Sequence, residues 1–187
     1  MKKRILTLSL ALITVIGLSA FTLATTDAYK TKTGHVWFES NAEQEDITAH
    51  NYQVGSLLSA KDGKVAIKMA MTSFEFEKKT MQDHFNENYL ESSKFPEASF
   101  AGKITNLKEV NFKKAGTYNA TATGDLTIHG VTKNVTTNGT ITVADAGVNL
   151  KAKFVINLKD YNVTIPSTVV KKVSDKISIN ADINYAK

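Results

Sequence analysis

Tyr118-Asn119-Ala120-Thr121-Ala122-Thr123-Gly124-Asp125-Leu126-Thr127-Ile128 is followed, past His129-Gly130, by a second run from Val131 to Val143. Tyr118, Ala120, Ala122, Gly124, Leu126 and Ile128 share one parity, and Asn119, Thr121, Thr123, Asp125 and Thr127 the other. The second run repeats the pattern, with Val135, Ile141 and Val143 against Thr136, Thr140 and Thr142. A period of two belongs to a strand with one dry and one wet face. The dry parity is slight at Ala120, Ala122 and Gly124, where a filled core takes Val, Ile or Leu. Slight inward residues leave room, which predicts a β-structure around an unfilled apolar interior.

Strand patterning extends in both directions from this hairpin. Val36 and Phe38 alternate with Trp37 and Glu39, and a second strand is expected over residues 46–60, with a break near Asn51 to Gly55. Asp62-Gly63 signals a hairpin turn, after which Val65, Ile67, Met69 and Met71 alternate with polar or small neighbours. The apolar parity then shifts to Phe74 and Phe76, predicting a bulge near Thr72-Ser73. Thr80, Met81, Phe85 and Tyr89 fit a short helix, and Thr80 to Asp83 match a capping box. Beyond Lys94-Phe95-Pro96 a strand passes through Phe100 and Ile104. Two more follow, one carrying Val148 to Leu158 and one Ile177 to Tyr185, separated by a long connection over residues 160–174. About eight strands joined mostly by short turns, with one inserted helix, predict an all-β antiparallel barrel or sandwich. Closure removes exposed edges, and an eight-stranded barrel encloses packed side chains or one small ligand.

Met1-Lys2-Lys3-Arg4 precedes an apolar run from Ile5 to Leu23. A basic start, an apolar core and small residues at its end describe a secretory signal peptide over residues 1–24, with Ala24 the last residue removed. The alternative is an uncleaved anchor, because the run approaches the roughly 20 residues that span a bilayer. With no Cys in the chain, a lipidated leader, disulfides and thiol chemistry are excluded. Lys2, Lys3 and Arg4 belong to the leader, so the formal charge of +5 falls to about +2 for residues 25–187, the expected single domain. The remaining lysines are scattered among acids, unlike the one-sided basic face of a nucleic-acid binder.

Catalytic signals are weak. His35, His50, His84 and His129 show neither His-x-His nor His-Glu-x-x-His spacing, so zinc has no local signature. His84 and His129 are placed to meet in space, and the simpler role for each is a bond to a backbone carbonyl that pins the helix or the hairpin. Ser92 or Ser93 with His84 and Asp83 would make a triad, but neither serine lies in a nucleophile elbow. Glu75 and Glu77 share one strand face and are expected to face water. The Asn-x-Thr triplets at Asn119, Asn134, Asn138 and Asn162 follow from Asn and Thr on wet strand faces. Apolar faces carry the functional expectation instead: Met69, Met71, Phe76, Phe100, Tyr118, Ala120, Ala122, Leu126, Phe154, Ile156 and Ile179 are the expected lining of a ligand cavity. None of these is charged, so a ligand's head group belongs near the mouth.

Leu126-Thr127-Ile128-His129-Gly130-Val131-Thr132-Lys133 resembles a hairpin of the YceI-like family of exported lipid-binding proteins. Met81-Gln82-Asp83-His84-Phe85, then Tyr89-Leu90-Glu91-Ser92, Phe95-Pro96 and Phe100 are similar to that family's His-bearing helix and the strand after it. The resemblance implies an eight-stranded lipocalin-like antiparallel barrel, periplasmic export, no catalysis and no cofactor. It also implies an isoprenoid or other long-chain amphiphilic lipid as ligand, with transient membrane contact and a homodimer as further expectations. The helix near Thr80 to Leu90 and the 160–174 connection would gate entry. A solid-cored interaction or stress-protection protein, a lipid-modifying enzyme using His84 or His129, and a true lipocalin are the rivals. The last is disfavoured because Gly34 and Trp37 stand one residue too far apart for Gly-x-Trp.

Overall fold

The computed structural model describes residues 27–186, so the expected leader at residues 1–24 lies outside them. The strands are β1 (Ala28–Asn41), β2 (Asp46–Ser59), β3 (Lys64–Ala70), β4 (Glu75–Phe76), β5 (Glu97–Ile104), β6 (Gly116–Ile128), β7 (Val131–Ala144), β8 (Gly147–Asn157) and β9 (Lys176–Ala186). Their order is β1-β9-β8-β7-β6-β5-β3-β2, and pairing of β1 with β2 closes the ring. This is the expected eight-stranded antiparallel barrel, with β4 as an extra strand and the helix α1 (Lys79–His84) inserted before β5.

On the β6–β7 hairpin the wet faces bond directly across the strands: Thr117 to Thr142 at 3.0 Å, Thr123 to Thr136 at 2.9 Å, and Thr127 to Thr132 at 2.8 Å. Such pairs replace water around a face that cannot be buried. The expected break in β2 does not occur; the strand is continuous. What changes there is its partner, since Gly55 to Leu58 pair with β3 whereas Ala49 and His50 pair with β4. Asn51, fully buried, spans the step: its Nδ2 donates to the Ala70 carbonyl at 2.9 Å and its Oδ1 accepts from the Gln53 amide at 2.9 Å. The expected bulge near Thr72 is a single 3₁₀ turn, Met71–Ser73, which carries the chain from β3 to β4.

The two ends of the barrel differ. At one lie the turns after β2 and β7 and the loop between β5 and β6. There Val54, Leu58, Ile183 and Tyr185 are sealed together, and the Tyr185 hydroxyl donates to Ser56 Oγ at 2.7 Å. At the other lie α1, the β6–β7 turn and the connection between β8 and β9. One half is a solid plug; the other is hollow.

Candidate functional site

The hollow half encloses a cavity of about 530 Å³. Its wall is built from the inward parity of the strands, which is why the side chains that line it are apolar. Met69, Met71, Phe76, Phe100, Ala120, Ala122, Leu126, Phe154, Ile156 and Ile179 all lie on this wall. Met69, Phe100, Phe154 and Ile179 point inward yet are only partly buried, because their inner surfaces meet open space rather than other side chains.

Tyr118 is not on the wall. It sits at the plugged end of β6, half-buried, and its hydroxyl donates to the Lys114 carbonyl at 2.8 Å. Alternation assigned its face correctly but carries no information on depth along the barrel axis. Gly124 also differs from expectation: it adds no lumen. It pairs directly with Gly102, and a Cβ on it would stand 2.3 Å from the Gly102 Cα. The Phe100 ring covers the space beside Gly102, where a Cβ would lie 2.5 Å from Cζ. Of the small residues in the β6 run, Ala120 and Ala122 face the hollow.

The α1 segment is anchored by aromatics that periodicity placed on separate elements without showing that they meet. Phe85, in the π-helical turn Phe85–Tyr89 that extends α1, packs against Phe38, Phe74 and Phe76 with ring centroids 5.6, 5.6 and 5.1 Å away. The capping box does not form. The helix begins at Lys79 with Lys78 as its cap and no side-chain capping bond, and Asp83 pairs with Lys79 instead. Around the rim lie Glu45, Lys78, Thr80, His84 and Lys172, with Lys78 paired to Glu45 at 3.6 Å.

His129 joins the elements that cover the cavity. Its Nδ1–H donates to the Tyr161 carbonyl at 3.1 Å and its Nε2–H to the Glu91 carboxylate at 3.0 Å. Both partners are acceptors, so the two bonds coexist when each ring nitrogen carries a proton. Among the described residues, Glu91, His129 and Asn162 are the non-glycine residues with positive φ, at 43°, 50° and 56°. All three lie at or beside this junction, and the strain of each is offset there by packing and bonds. His129 thus pins both helix exit and connection. His84 does not join it; it is exposed at the rim. Ser92 is buried and donates to Asn86 Oδ1 at 2.7 Å, away from any histidine bond. Glu75 and Glu77 are exposed.

His35 and His50 meet across β1 and β2 on the outer surface, Nε2 to Nδ1 at 3.0 Å, in a stack with Trp37 and Tyr52. Burial first, and then the neighbouring His50, hold the His35 imidazole below its usual value. No local spacing signals this pair, because a bulge in β1 sets the register that brings it together. Among the described residues no cluster of three or more His, Cys, Asp or Glu is placed to hold a metal ion. Nor is any helix among them long and apolar enough to cross a membrane.

A family model described as the YceI-like domain matches residues 22–185. Among solved structures, a polyisoprenoid binding domain from Saccharophagus degradans, implicated in plant cell wall breakdown, superposes with a TM-score of 0.73. It is 11% identical over 86% of this chain and 98% of its own. BcnA of Burkholderia cenocepacia matches with a TM-score of 0.63 and 18% identity over 82% of this chain and 96% of its own. A YceI protein of Campylobacter jejuni matches with a TM-score of 0.55 and 16% identity over 100% of this chain and 99% of its own. At these identities the likeness is one of fold. No curated protein matches.

Proposed function

Because this chain belongs to the YceI-like family, we propose that it is an exported, non-enzymatic carrier or sequestering protein for an isoprenoid-type or similar long-chain lipid. The apolar hollow of about 530 Å³ carries this proposal. Its size falls in the range of roughly 300–1,000 Å³ typical of sites that bury small organic ligands. The polyisoprenoid binding domain from Saccharophagus degradans, with the same fold, supports the ligand class. Enclosure supplies the affinity. At about 0.8 kcal/mol per CH₂, ten enclosed carbons contribute ~8 kcal/mol gross, or about micromolar binding before ordering costs. Met69, Met71 and Met81 on the wall suit a hydrocarbon of variable shape, since thioether chains adapt their packing. The lid residues from Lys79 to Tyr89 and the connection from Leu158 to Asp175 cover the hollow, so ligand entry goes through their displacement.

Native mass spectrometry after mild purification is expected to show a lipid adduct; repeated ligand-free protein with no uptake of added prenyl lipid would count decisively against a carrier. Ala122→Leu separates this function from that of a solid-cored interaction protein. A leucine that projects into open space leaves thermal stability unchanged or raised while lipid uptake falls, whereas a leucine forced into a packed core costs about 1–3 kcal/mol.

A further inference from the structure

His35 and His50 do not line the apolar hollow, and lipid enclosure makes no use of them. Both lie on the outward parity of their strands, at the β1–β2 seam whose pairing closes the barrel. The His35 ring is clamped between Trp37 and Tyr52, with centroids 4.6 and 4.4 Å away and interplanar angles of 21° and 17°. His50 stands beside this stack and is held less closely, its centroid 6.4 Å from Trp37 and 5.9 Å from Tyr52.

His35 Nε2 and His50 Nδ1 are 3.0 Å apart. Two neutral rings keep that distance by placing one proton between them, one nitrogen donating and the other accepting. When each ring instead carries its proton on the far nitrogen, two lone pairs face the same small space, and a cation there replaces the shared proton. Metal–imidazole bonds are about 2.0–2.1 Å long, so an ion equidistant from nitrogens 3.0 Å apart is held at an angle of about 91–97°. That is the angle between neighbouring ligands of a square-planar or tetragonal ion, narrower than a tetrahedral site offers. The ion lies to one side of the line joining the nitrogens. His50, the less confined ring, turns its lone pair towards it while His35 stays clamped.

The flanks carry negative charge. Asp182 is the cross-strand partner of His35, and Glu75 that of His50. Lys151 already shares Asp182 at 3.1 Å, whereas Glu75 is exposed and makes no ion pair among the described residues. Neither carboxylate is placed to complete a three-residue site, so water fills the remaining positions.

We propose that His35 and His50 form a two-imidazole site on the outer wall for a divalent transition ion, Cu²⁺ before Ni²⁺ or Zn²⁺. Imidazole suits these ions, affinity at a nitrogen site rises along the first row to Cu²⁺, and the near-right-angled bite fits a tetragonal ion. The oxygen-seeking ions Ca²⁺ and Mg²⁺ find only nitrogen at this position. With one ligand on β1 and the other on β2, the bound ion also staples the seam of the barrel. The site is independent of the lipid-carrier function proposed above.

The test adds copper(II) chloride to the mature protein, free of any affinity tag, and to its His35→Phe, His50→Phe and His84→Phe variants. Phenylalanine keeps a ring in the stack but has no lone pair, and circular dichroism checks folding. Calorimetric titration is expected to show one Cu²⁺ per wild-type chain. Affinity should fall roughly tenfold or more in His35→Phe and in His50→Phe, because a single imidazole no longer chelates, and hold in His84→Phe. Electron paramagnetic resonance of the wild type should show a tetragonal signal split by two imidazole nitrogens. Tm should rise with Cu²⁺ in the wild type and not in His50→Phe. No stoichiometric binding, wild-type affinity in either folded seam variant, or a wild-type signal without coupling to two nitrogens would each overturn the site. The spectrum decides even where a variant does not fold.

Discussion

Tyr185 is 1% exposed, and its hydroxyl is satisfied by Ser56 Oγ, which in turn donates to the Ala66 carbonyl at 3.0 Å. Burial pushes the phenol up to about 12, only partly opposed by the Ser56 bond. The unfolded chain releases this proton near pH 10, so between about 10 and 12 the unfolded state binds fewer protons than the folded state. Stability from this group is therefore fully present below about pH 10 and lost as pH rises towards 12, by about 2–3 kcal/mol. Urea midpoints at pH 8 and pH 11.5 should fall less between the two for Tyr185→Phe than for wild type, with the variant about 1 kcal/mol less stable at pH 8. Equal falls would show that Tyr185 is not the group responsible. At the same scale, His129 shows how one side chain can do structural work at a distance: both its ring nitrogens are used, on segments 32 and 38 residues away in sequence.

Among the elements, the β5–β6 pair sets how closely the wall is drawn together. Gly102 and Gly124 face one another, and neither has room for a side chain: a Cβ on Gly124 would also lie 2.5 Å from the Ala101 carbonyl oxygen. Backbone cannot give way as a side-chain tip can. Gly124→Ala is expected to cost about 3 kcal/mol or more, measured as a lower urea midpoint. A midpoint within experimental error of wild type would show that the strands are not so closely apposed. The lid is built differently. The α1 segment has no side-chain cap and is held by Phe85 within the Phe38–Phe74–Phe76 cluster, so its position depends on packing more than on its own helical propensity.

For the whole molecule, the division into a plug and a hollow separates stability from binding. The plugged half supplies a dry core that needs no ligand; the hollow half has inward apolar surface with nothing packed against it. Filling it stabilises only the folded state. A prenyl lipid at a hundred times its dissociation constant is expected to add about 2.7 kcal/mol. For a domain of this size that corresponds to roughly 5–10 °C in Tm by scanning calorimetry, relative to protein stripped of lipid. A Tm insensitive to added lipid would mean that the hollow does not take it up.

Strand identity, the inward parity of Met69, Phe100, Leu126, Phe154 and Ile179, and the smallness of Ala120 and Ala122 were all legible in the chain itself, because a two-residue period is a local property of extended backbone. So was the pinning role of His129. The cap at Thr80 was misjudged because helix starts depend on where the preceding strand releases the chain, here β4. Depth, closeness and distant partners were decided only by the closed barrel. Tyr118 and Ala120 share a parity, yet one lies by the plug and the other on the hollow. Gly124 pairs with a glycine 22 positions away, and Phe85 finds Phe38 on β1, a strand remote from it in sequence. These relations follow from register, shear and packing between segments remote in sequence, and alternation along one strand carries none of that information.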